Sequence, residues 1–78
     1  MYTYYLIRLD FEDGYWGYVR WVGPNTFELT DDPNSCMVFD SHDEAADYFY
    51  DHVKGRRRGD GAPIYKVFIT SVNSQYRM

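Results

Sequence analysis

A chain of 78 residues has room for one hydrophobic core, and its single cysteine, Cys36, and two histidines exclude a disulfide framework and leave a structural zinc site short of ligands. Aromatic packing is what remains to stabilise so short a domain: nine Tyr, five Phe and two Trp make 21% of the residues, and each buried ring removes roughly 150–250 Å² from water. The net charge of −4 is uneven, with eleven acids against Arg8 and Arg20 over residues 1–53 (−9) and six cations against Asp60 over residues 54–78 (+5), a balance that suits basic partners better than polyanions.

Residues 2–11 read as a strand, with Tyr5, Ile7, Leu9 and Phe11 forming the apolar face. Glu12-Asp13-Gly14 supplies a turn. Residues 15–22 return as a second strand, apolar or aromatic on both faces, so its inward face stays open. Gly23-Pro24-Asn25 turns the chain again, and Thr26 to Thr30 form a third strand with Phe27 and Leu29 on one side. Pro33, among Asp31, Asp32 and Asn34, forces a loop, and Cys36 to Phe39 form a short extended piece.

Ser41 with Glu44 three residues later is a capping box, and Asp43 adds negative charge where the helix dipole favours it. The pattern predicts a helix from about His42 to Lys54, ended by Gly55. At about 100° per residue, Ala45, Ala46, Phe49, His52 and Val53 share the sheet-facing side. Arg56 to Pro63 form a basic, glycine-rich loop, Ile64 to Val72 a last strand, and Asn73 to Met78 a tail polar enough to fray. The fold class is α+β, one domain over residues 1–78. It is an antiparallel β-meander sheet of about four strands with one amphipathic helix packed on one face. The last strand follows a helix, so a parallel pairing through a right-handed crossover is an open option.

Three clusters are candidates for function. Asp40, Asp43, Glu44, Asp47 and Asp51 make an acidic helix face, either solvated or built to dock onto a basic groove. Arg56, Arg57 and Arg58 could contact phosphate, or they could complement the helix C-terminus. Tyr15, Trp16, Tyr18 and Trp21 resemble the aromatic signature strand of RNA-recognition motifs, whose rings stack on bases; the competing reading is cross-strand aromatic pairing. No catalytic or metal-binding constellation emerges, so neither an enzyme nor a cofactor is expected. The N-terminus lacks a basic region leading into an apolar run, and no apolar stretch approaches the roughly 20 residues of a membrane helix. With a lone cysteine, that makes the cytoplasm the expected compartment and a membrane an unexpected partner.

Phe39-Asp40-Ser41 leading into Glu44-Ala45, Tyr48-Phe49-Tyr50 and Gly55 is similar to a stretch of small anti-CRISPR proteins that act on type I surveillance complexes. The wider plan resembles small acidic phage and prophage proteins. The resemblance implies a non-enzymatic inhibitor that docks onto a host nucleic-acid-binding complex, in the host cytoplasm. The expected partner is therefore a protein with a basic surface, a single-stranded nucleic acid held on the aromatic strand being the alternative. The oligomeric state is open, a homodimer included.

Overall fold

A computed structural model describes residues 2–74. Its elements are β1 (Tyr2–Asp10), β2 (Trp16–Val22), β3 (Phe27–Thr30), a helix α1 (His42–Tyr48) prolonged by a π turn (Phe49–Val53), and β4 (Lys66–Ser74). The strands form one antiparallel sheet in the order β3-β2-β1-β4. The chain is thus α+β, a meander of three strands extended by a fourth, with α1 lying over β1 and β4.

The alternation in β1 sorts its side chains as the pattern requires. Ile7, Leu9 and Phe11 are buried in the core with Phe39, Ala45, Phe49 and Val53, and Tyr5 packs against that cluster. Leu6 is also 0% exposed, although it points to the opposite face. Between β1 and β2, Gly14 takes a φ of 90°, which an L side chain rarely adopts.

The inward face of β2 depends on two local features. Gly17 is buried with no side chain, because a Cβ there would lie 2.8 Å from the Cβ of Leu29. Val19 pairs with Leu29, a bulge then inserts Arg20, and Val22 pairs with Phe27. The extra residue changes the parity, so that Gly17, Val19 and Val22 all face the core.

The extended piece after Cys36 enters the sheet itself. Tyr5 and Phe39 exchange two backbone hydrogen bonds of 2.9 Å, and the Met37 amide donates to the Val19 carbonyl at 3.0 Å. Direct pairing of β1 with β2 covers only Arg8–Asp10 and Trp16–Tyr18. The segment therefore sits in the fork where the two strands part, and carries Phe39 into the core.

Ser41 caps α1: its φ of −144° is extended, and its Oγ accepts from the Glu44 amide at 3.1 Å. Ala45, Phe49 and Val53 are the buried residues of the helical segment. His52, expected on the same side, is exposed. The cause is the π turn, in which Lys54 donates to the Phe49 carbonyl five residues back. The wider turn keeps His52 from returning to the face of Phe49. Gly55 ends the segment with a φ of 86°.

β4 begins at Lys66, two residues later than expected, because Tyr65 donates to the Asp10 carbonyl at 3.0 Å and brings the chain in beside the end of β1. From there it runs back along β1 through nine paired positions, from Asp10↔Lys66 to Tyr2↔Ser74. This antiparallel return replaces the crossover option. Asn73 and Ser74 are strand rather than tail, while residues 75–78 lie outside the described residues.

Candidate docking surfaces

The acidic residues converge on the outside of the helical segment. Asp40, Asp43, Glu44, Asp47 and Asp51 are all exposed, the Asp43 side chain 98% so. Among the described residues none of them pairs with a lysine or arginine. Asp43 lies 3.8 Å from the His42 ring, and Asp40 accepts a hydrogen bond of 2.6 Å from the Tyr2 hydroxyl. The buried stripe Ala45-Phe49-Val53 fixes which way this face points, so the surface follows directly from the core.

Arg56 and Arg58 of the basic loop are turned inward as fasteners, while Arg57 is exposed. Arg58 donates to Asp13 at 2.7 Å and to Asp60 at 2.8 Å, and its guanidinium lies 4.6 Å from the Phe11 ring and 5.2 Å from the Tyr15 ring. Hydrogen bonds from Arg58, with a second from the Ala62 amide, hold the Asp60 carboxyl down at about 2. Asp13 is lowered by Arg58 and by the Tyr15 amide, and Arg58 is raised in return by both carboxylates. Arg56 donates to the Gly23 carbonyl, and Arg57 to the Gly61 carbonyl at 3.1 Å. The Thr26 hydroxyl donates to the Arg57 carbonyl at 3.2 Å. The loop is thereby tied to the turns on both sides of β2, and the charge of Arg58 is spent on two carboxylates.

Tyr15, Trp16, Tyr18 and Trp21 do not form a single platform. Tyr15 packs on Phe11, with ring centroids 6.0 Å apart, beside Arg58. Trp21 lies beyond the bulge, 51% exposed, with its indole over Gly23. Trp16 and Tyr18 do share the face away from the helix, edge to face at 5.6 Å. Residues that the strand pattern of β2 alone does not reveal join them there. Arg8 pairs with Tyr18 on one side and Phe68 on the other. Its guanidinium is 4.5 Å from the Trp16 ring and 5.9 Å from the Phe68 ring. Trp16 is 37% and Phe68 45% exposed. The available signal was the alternation of Arg8 in β1 and Phe68 in β4, which becomes a cluster only once the strand order is known. Arg8 is also ion-paired with Asp10 at 2.8 Å.

The remaining polar residues serve local structure. Asp32 accepts from the Asn34 amide at 2.9 Å and from the Ser35 hydroxyl at 2.8 Å, which lower its carboxyl. Partial burial raises the Cys36 thiol, against the activation a nucleophilic thiolate needs. The His52 ring packs 4.7 Å from Tyr48. Among the described residues no three His, Cys, Asp or Glu side chains gather as a metal site would require, and no helix is long and apolar enough to cross a membrane.

Comparison with protein-family models, with curated proteins and with solved structures found no match.

Proposed function

We propose that the chain is a small non-enzymatic docking protein of the phage-type inhibitor kind, which sets its acidic helix against a basic, nucleic-acid-binding surface of a larger host complex in the cytoplasm. The observation that carries this reading is that, among the described residues, no lysine or arginine pairs with the exposed face of Asp40, Asp43, Glu44, Asp47 and Asp51. The arginines of the basic loop do not offset it, because they are bonded to Asp13, Asp60 and backbone carbonyls. Asp43, Asp47 and Asp51 repeat at four-residue spacing, where like charges weaken a helix slightly. A cationic surface would relieve that repulsion, and charge complementarity would speed encounter and fix orientation.

The test is affinity capture from host extract with the wild type and with Asp47→Lys/Asp51→Lys in parallel, beside thermal unfolding of both. Docking requires that the wild type retain a nucleic-acid-binding protein and that the double variant lose it. Like charges facing across an interface cost several kcal/mol. The variant's thermal midpoint should hold or rise, since cations near a helix C-terminus and relief of i,i+4 repulsion each contribute a few tenths of a kcal/mol. Equal capture by the two proteins would show that the acidic face is only solvated.

The cluster of Trp16, Tyr18 and Phe68 around Arg8 favours a second reading, a stacking platform for single-stranded nucleic acid. It ranks lower because Arg8, at the centre of that face, already holds Asp10. Short single-stranded DNA or RNA should therefore fail to quench tryptophan fluorescence at physiological salt. Strong quenching that fades as salt rises would reverse the ranking.

A further inference from the structure

The two edges of the sheet are built differently. The β3 edge is four residues long, Phe27–Thr30, with exposed Glu28 on it, a bulge in its partner strand, and Pro24 and Pro33 in the loops on either side. These are devices by which proteins keep sheet edges from pairing. The β4 edge has almost none of them. Lys66–Ser74 is nine residues long, pairs with β1 without a register shift, contains no proline, and carries its only charge at the first position. Val67 and Phe68 are 39% and 45% exposed, and among the described residues no strand lies on its outer side.

We propose that this outer edge pairs antiparallel with the same edge of a second copy, about a two-fold axis through Thr70, joining two sheets into one of eight strands. A closed pair of identical surfaces must be self-complementary, and the sequence of β4 meets that condition at its central residue. Among the described residues, only an axis through Thr70 brings all nine positions of β4 into register. It sets Thr70 opposite Thr70, Phe68 opposite Val72 and Lys66 opposite Ser74. Threonine pairs and aromatic–β-branched pairs are favourable cross-strand neighbours, and this register never places lysine against lysine. The axis stands perpendicular to the sheet, so both acidic helices lie on one face of the dimer and both Trp16–Arg8–Phe68 clusters on the other. A nine-residue edge is about 30 Å long and a strand about 10 Å deep. Its contact is small beside the roughly 800 Å² per partner of a standard interface, so the dimer it forms is a weak one.

Sedimentation equilibrium of the full chain, from about 1 to about 500 µM, tests this together with two variants, Thr70→Lys and Thr70→Glu. Thr70 is half-buried at the surface beside Leu6, and the apolar stem of either replacement can cover that leucine. The wild type should move from the 9.3 kDa chain mass toward twice that value as concentration rises. Each variant alone should stay at the monomer mass, because the axis sets two like charges face to face. An equimolar mixture should recover the dimer, pairing lysine with glutamate, and this also establishes that both variants are folded. A wild type that remains monomeric throughout overturns the proposal. So does a dimer that either single variant leaves intact, or a mixture that stays monomeric.

Discussion

Arg58 joins the turn after β1 to the loop after the helix, and the pH dependence of that join belongs to its carboxylates. Asp60 has an ordinary value of 3.8 and is held at about 2 in the folded chain by Arg58 and the Ala62 amide. Between those values the unfolded chain takes up a proton that the folded chain refuses, so the stabilisation is complete above 3.8 and lost as pH falls through about 2. Asp13 is shifted in the same direction and adds to the same acid limb. Asp60→Asn should therefore lower the thermal midpoint at pH 7, with the gap from wild type closing as the pH falls from 4 toward 2. The effect will be modest, since exposed pairs contribute little. A gap that is constant across that range would show that geometry rather than charge secures the loop. Gly17 makes the complementary point about shape: the missing Cβ lets Leu29 lie across β2.

At the scale of the element, the helical segment is held by its buried stripe far more than by its cap. Seven α-helical residues and a π turn have little independent stability, since short helices are marginal in water. Ala45, Phe49 and Val53 supply what the backbone lacks by closing over Ile7, Leu9 and Phe39. Phe49→Ala should cost roughly 3–5 kcal/mol, a large fraction of a small domain's stability. Chemical denaturation monitored by circular dichroism measures it, and a cost below about 1 kcal/mol would mean that the helix does not close the core. The same stripe fixes the outward direction of Asp43, Asp47 and Asp51. A variant that loosens it should therefore lose partner capture together with helicity, unlike the Asp47→Lys/Asp51→Lys pair, which should lose capture alone.

Across the whole molecule, one sheet face is sealed by the helical segment and the other carries aromatic side chains around a paired arginine. The two candidate surfaces lie on opposite sides of the core, so substitutions on one should leave the other unaffected. The outer edge of β4, beside which no strand lies among the described residues, runs between them.

How much of this was legible in advance differs from residue to residue. Alternation in β1 was enough to assign Ile7, Leu9 and Phe11 to the core, because side chains at every second position of a strand share a face. Ser41 and Glu44 located the start of the helix, because capping is local chemistry, and the spacing of Ala45, Phe49 and Val53 identified its buried side. By itself the sequence therefore determined the kinds of element, their order and the acidic outer face. The rest depended on contacts between segments distant along the chain. Val22 faces inward because a bulge against β3 shifts the parity of β2. The apparent phosphate-binding loop is a set of fasteners because Asp13, 45 positions before Arg58, folds to within 2.7 Å of it. Arg8, Trp16 and Phe68 come together because β4 returns antiparallel to β1. Local periodicity carries no record of which strand becomes whose neighbour; strand pairing decides that, and only the tertiary structure contains it.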